Sequence, residues 1–186
     1  MTDPVNNKSA DRKEPKLFLV DEKTYGEDYK EHLLEQYKLC VGAADMISDR
    51  RSASNTFYLT LISALIALIG VLSQVNKPIS ALYFWWVALV SLSGIMFCLL
   101  WNTSIDCYRQ INQAKYKVIN EIEERLPAAA FAKEWSYLKA ENKKAKYPEL
   151  TLVERWIPVM FLVLFLILLI ISLIMANYAL IAKFLT

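Results

Sequence analysis

Three stretches of the chain carry no ionisable side chain: residues 52–76, 78–105 and 156–182 contain no Asp, Glu, Lys, Arg or His. At 25, 28 and 27 residues, each exceeds the roughly 20 residues that cross a bilayer as a helix. Charged residues still make up 22% of the chain, so their exclusion from three long blocks argues against a water-soluble domain. A transmembrane barrel is excluded too, because its strands alternate apolar and polar residues over about ten positions. The fold class is therefore all-α, an integral membrane protein with three transmembrane helices and a cytosolic helical module. The first span is read over 55–74 and the second over 81–101, joined by a short link into a hairpin over 55–101. The third is read over 156–182. Tyr83, Trp85 and Trp86 at one end of the second span and Trp101 at the other match an aromatic belt.

The polar segments have their own pattern. Residues 1–24 hold Pro4, Pro15 and mixed charges and read as a flexible tail. Its apolar island, Leu17 to Val20, either docks on a partner helix or tucks against the body. Residues 25–54 read as a juxtamembrane helix on which Leu33, Tyr37, Val41 and Ala44 form an apolar stripe at three- and four-residue steps. No proline interrupts from Lys16 to Asn76, so this helix is expected to run on into the first span. The stripe has two uses open to it, a contact with the chain's own second cytosolic helix or an oligomer interface. Residues 102–155 form the second cytosolic helical segment. Ile111, Ala114, Val118, Ile122 and Leu126 mark its expected seam, and Pro127 ends it. A shorter helix follows with Phe131, Trp135 and Leu138 on one face, then a basic loop, NKKAKY, over 142–147.

Orientation follows from the basic residues. Nine of the 21 Lys and Arg lie in 1–54 and ten in 102–155, with Lys77 and Lys183 alone on the other side. The positive-inside rule makes the rich side cytoplasmic. Three spans then give a cytoplasmic N-terminus and an outside C-terminus. With no apolar run in the first fifty residues, the first span is expected to act as the targeting signal.

Little in the chain points to catalysis. No GxxxxGK[ST], GxGxxG, GxSxG or HExxH pattern occurs. A single histidine, His32, rules out a multi-histidine metal site within one chain, and no cofactor is expected. Glu121, Glu123 and Glu124 read as a solvated helix surface, and Asp106 with Arg109 as a helix-supporting i,i+3 pair. Ion-coupled transport normally needs an ionisable group inside the membrane, and these spans have none.

What the spans do carry is packing information. Thr60, Ser63, Ala67 and Gly70 in the first span, and Ser91 and Gly94 in the second, place small residues three or four apart. Small residues let helices approach closely, and hydroxyls bond across helices. Two readings stand: packing within one hairpin, or contact between subunits around a pore lined by Thr60 and Ser63. The third span offers Ser172, Ala176 and Ala179 at one end and reads as lipid-facing elsewhere, Leu166 included. In the cytosolic loop, Trp135, Tyr137, Lys143, Lys144 and Lys146 combine rings with positive charge. Such a set binds anionic lipid headgroups or stacks and neutralises a nucleotide.

At DRRSASNTFYLTLISALIALIG, and again at WNTSIDCYRQINQAKYKVINEIEERLP, the chain resembles small bacterial membrane proteins of conflict systems, the SLATT-like proteins and their relatives. The resemblance covers residues 30–155. It implies a helix leading into a membrane hairpin and then a cytosolic helical region. It also implies membrane disruption or pore formation after a partner or nucleotide signals. The third span is an addition to that two-span pattern. The expected function is therefore non-enzymatic: the membrane component of an antiphage defence system, homo-oligomeric and read by a cytosolic partner protein. A membrane scaffold that recruits or regulates such a partner is the alternative, with a transporter or enzyme subunit third. The topology is directly testable. A reporter active only outside the cytoplasm is expected to work after Thr186 and to fail near Asn142; the reverse result overturns the three-span orientation.

Overall fold

The computed structural model describes residues 16–75, 81–142 and 150–185. Five helices follow in order: α1 (Glu22–Tyr25), α2 (Tyr29–Val75), α3 (Ala81–Glu123), α4 (Ala130–Asn142) and α5 (Leu150–Leu185). Among the described residues there is no strand. Three of the helices, α2, α3 and α5, are long and apolar enough to cross a membrane, and lipid leaves the backbone no alternative, since every amide must be satisfied within the segment.

Both α2 and α3 run without a break from the polar half into the apolar half. Their 47 and 43 residues correspond to about 70 and 65 Å at 1.5 Å per residue. Covered positions on α2 advance by alternate steps of four and three, from Leu33, Tyr37, Cys40 and Ala44 to Ile62, Leu65 and Ile69. On α3 the same rhythm runs through Val87, Ser91, Gly94, Cys98, Trp101 and Ile105. A repeat of 3.5 keeps one seam facing a partner and winds the pair into a left-handed, nearly antiparallel crossing. Of the stripe Leu33, Tyr37, Val41 and Ala44, Leu33 and Ala44 are buried within the single chain and Tyr37 and Val41 are half-buried, with Tyr37 bonded to Glu123 of α3.

The polar half of α3 also differs from its expected seam. Ile119 and Ile122 are buried, but Ile111 and Ala114 are exposed. The reason is register. A 3.5-residue repeat counted from Ile105 reaches Asn112 and Ile119, and Asn112 bonds Ser48 of α2 from that position. Polar residues can occupy an antiparallel seam when a partner meets them, and hydrophobicity alone does not reveal this.

The central element is α3. Both α2 and α5 pack along it, whereas α2 and α5 meet only through side chains. One core cluster joins all three: Ile62 from α2, Cys98, Trp101 and Ile105 from α3, and Phe165 from α5. Phe165 is fully buried, so one face of the third span packs inside the chain at its middle, while Val163, Leu164, Leu166 and Ile167 stay exposed. Its ring lies over Gly94, where an added Cβ would stand 2.6 Å from three ring carbons. Ser91, Ser172 and Ala176 are buried in the same half of the molecule. Gly94 of the second span therefore serves the α3–α5 contact within the chain.

Polar bonds tie the three helices together where the apolar half begins. Trp101 Nε1 donates to Asn55 Oδ1 at 2.8 Å and stacks on Tyr58 with ring centroids 5.9 Å apart. The hydroxyls of Ser54 and Ser104 meet at 3.2 Å. Arg51 pairs with Glu154, and Arg155 pairs with Asp106 at 3.5 Å. Asp106 thus reaches across to α5. Pro158, buried one turn further on, removes the amide that would bond the Glu154 carbonyl.

These contacts generate a stability prediction. Gly94→Ala places a methyl into a ring that is fully enclosed and has no room to withdraw, so a loss of about 1–3 kcal/mol is expected, the usual cost of overpacking. Thermal unfolding in detergent measures it, and adding Phe165→Leu is expected to recover part of the loss.

Candidate functional site

Two regions carry the residues singled out from the sequence: the outer face of α2 in the apolar half, and the far end of the polar half.

On α2, Thr60, Ser63, Ala67 and Gly70 are all exposed. Nothing lies within 4 Å of a Cβ built on Gly70. The hydroxyls of Thr56, Thr60 and Ser63 donate to the carbonyls of Ser52, Thr56 and Leu59 at 3.1, 2.8 and 2.8 Å. Each oxygen keeps acceptor capacity beyond that bond. The two small-residue faces noted in the sequence thus separate. The one on α3 is consumed inside the chain, and the one on α2 meets no other helix of it. Periodicity does not distinguish these cases, because both faces repeat at the same spacing.

The far end is organised around a residue that the sequence reading left on a solvated surface. Glu123 is 1% exposed. Its Oε1 accepts from Tyr37 Oη of α2 at 2.9 Å and from the Phe131 amide at 3.0 Å, and its Oε2 accepts from the Ala132 amide at 3.1 Å. Those two amides belong to the first turn of α4, whose donors have no partner within their own helix. One carboxylate therefore caps α4 and binds it to both long helices, with its charge placed at the favourable pole of the α4 dipole. Glu121 and Glu124 are exposed, as expected. A sequence clue to Glu123 existed: it falls one residue after Ile122 on the buried edge and seven before α4 begins. Only the turn over 124–129 brings that edge to the α4 amides.

The surroundings close this end further. Arg125 lies 3.5 Å over the ring of Phe18 and donates to Tyr29 Oη at 2.8 Å. Phe18, part of the segment read as a tail, is thereby held against the ends of α2 and α3, although Leu17, Leu19 and Val20 stay exposed. Tyr25 Oη and His32 Nδ1 are 2.9 Å apart. On α4, Phe131 meets Tyr116 edge to face at 5.8 Å, while Trp135, Tyr137 and Leu138 are exposed. Lys133 stands 5.0 Å over the Tyr137 ring. Lys143, Lys144 and Lys146 lie outside the described residues. Among the described residues no group of His, Cys, Asp or Glu is arranged to hold a metal ion.

Burial beside Glu123 pushes the Tyr37 phenol up to about 12, desolvation first and the hydrogen bond to the carboxylate second. A phenol in the unfolded chain ionises near 10. Tyr37 therefore contributes its full stabilisation below about pH 10 and loses it as pH rises through 12, because the unfolded state sheds its proton first. Wild type is expected to melt above Tyr37→Phe at pH 8, with the gap closing between pH 10 and 12. Glu123→Ala is expected to cost more than Tyr37→Phe at pH 8, since it orphans a hydroxyl and two amides, each worth about 1–3 kcal/mol when buried. Thermal melts across that pH range check both statements.

A family model described as the octameric membrane protein family (8xMP) matches residues 34–174. No curated protein and no solved structure matches the chain.

Proposed function

The chain belongs to the octameric membrane protein family (8xMP), and on that premise we propose that it is a non-enzymatic membrane component in which eight copies surround a common axis. One observation carries the reading: the outer face of α2, with Thr56, Thr60, Ser63, Ala67 and Gly70, is exposed in the single chain. Lipid offers those hydroxyls nothing beyond the bonds they already make. A neighbouring helix or a water-filled path uses their free acceptor positions. In this reading Thr60 and Ser63 line the path, and Ala67 and Gly70 allow close approach between subunits.

The polar half then acts as the receiver. Its orientation toward the bacterial cytoplasm rests on the 19 Lys and Arg gathered on that side. Both α2 and α3 are unbroken from the Tyr37–Glu123 contact to the membrane, so a shift at the far end carries into the apolar half as a movement of rigid rods. Trp135 and Tyr137, exposed on α4, supply the surface that a cytosolic partner or nucleotide signal would meet, and the sequence NKKAKY that follows adds Lys143, Lys144 and Lys146 as positive charge. In its finer form the proposal is an antiphage defence component, as the SLATT-like resemblance implies. The exposed aromatic face of α4 favours one second reading, a membrane scaffold for a cytosolic protein.

Light scattering in mild detergent tests the assembly, and ion flux in vesicles tests the path. An eight-copy mass is expected for wild type. Gly70→Leu, which meets open space in one chain, is expected to fold normally yet reduce assembly and flux at least tenfold. Leu166→Phe, at an exposed α5 position, is expected to leave both unchanged. A monomeric wild type overturns the assembly. An octamer that never conducts, in vesicles or in triggered cells, overturns the path and leaves the scaffold.

A further inference from the structure

A second uncovered apolar feature lies on the opposite partner of α3. Between α3 and α5 runs an open groove of about 600 Å³, lined among others by Leu82, Trp85, Trp86 and Leu89 of α3 and by Leu169 and Leu173 of α5. No α2 residue enters it. Trp85 and Trp86 are each about half exposed. Trp101 of the same helix is buried with its N–H paired to Asn55, whereas Trp85 and Trp86 stand adjacent and uncovered along the groove.

Membrane insertion restricts how eight copies fit together. Copies inserted in one orientation are not related by a two-fold axis lying in the membrane plane. Their ring is therefore cyclic, and a cyclic ring of more than two subunits joins two different faces head to tail. Each copy must present one face to the copy before it and another to the copy after it. The outer face of α2 and the α3–α5 groove are two such faces.

Depth supplies the match. Asn55 and Trp101 are bonded side by side at 2.8 Å, which sets them at one level. Gly70 lies 15 residues beyond Asn55, and Trp86 lies 15 residues before Trp101. Both are therefore about 22 Å along their helices from that level. By the same count Ala67 is level with Leu89. Rotation about the membrane normal preserves depth, so Gly70 of each copy stands at the height of Trp86 in every other copy. The fit has an internal precedent, since Gly94 of α3 already receives the Phe165 ring of α5.

The geometry points to a head-to-tail subunit interface in which the α2 face at Ala67 and Gly70 of one copy seats in the α3–α5 groove of the next, with the Trp85–Trp86 pair filling the notch at Gly70. This rests on the ring reading above and adds which faces meet. It also assigns the exposed indoles a task that lipid contact does not require.

Disulfide cross-linking of the full-length protein in native membranes tests it, in a background where Cys40 and Cys107 are Ser and buried Cys98 is kept. Gly70→Cys combined with Trp86→Cys is expected to give a ladder of covalent multiples under mild oxidation, and each single variant is expected to stay largely uncross-linked. Mixing the two single variants in one cell is expected to give dimers only. Light scattering on the same preparations separates the two levels of the proposal. An octamer with no ladder from the double variant overturns the assigned faces while leaving the ring. Dimers from Gly70→Cys alone do the same, because they show α2 meeting α2. A monomer by mass overturns the ring and the interface together.

Discussion

Close approach at Gly94 is the contact on which the membrane half depends. In lipid, apolar side chains gain nothing by leaving water, so helices stay together through packing and polar bonds. The α3–α5 contact meets that requirement by letting the Phe165 ring settle onto bare backbone. With α5 seated, its first turns bring Glu154 to Arg51 and Arg155 to Asp106. Both pairs sit at the boundary, where water still reaches and charge burial is least costly. Trp101 and Asn55 lock α2 at the same height. The order of depths along all three spans follows from these few contacts.

The polar half solves a different problem. Two bare helices extending tens of ångströms beyond the bilayer need something to hold their ends. Glu123 does this by satisfying three donors from two other elements at once. A buried carboxylate is costly unless hydrogen-bonded on several sides, and here every contact is with a donor. Arg125 and Phe18 complete the closure from the chain's N-terminal side. The result is a long stiff lever, fixed at both ends, with α4 held at its N-terminus and its outer face free.

Legibility in the sequence was uneven, and the reasons are physical. Three spans, two long uninterrupted helices and the side bearing the charges were readable, because lipid forbids charge and proline ends helices. Small-residue faces were readable as faces, but not as inner or outer ones. Ser91, Gly94, Ser63 and Gly70 share one spacing and separate only when the third span chooses α3 as its support. Phe165 looked like any lipid-facing aromatic in an all-apolar run. Glu123 looked like its neighbours Glu121 and Glu124, because a helix surface of alternating charge gives no hint of a turn folding back on it. The apolar stripe at Leu33 and Ala44 was visible, and its partner was not.

By itself, then, the sequence determined the solvent of each segment, since the transfer cost of a charge into hydrocarbon is set by residue type. It determined helix continuity as well, since that depends on local backbone chemistry. Which faces are consumed inside the chain was decided only by the tertiary structure. That choice depends on register between distant segments, on a glycine finding a ring 71 residues away and on a carboxylate finding amides beyond a turn. The face left over on α2, and the groove left over between α3 and α5, exist only after those pairings are made.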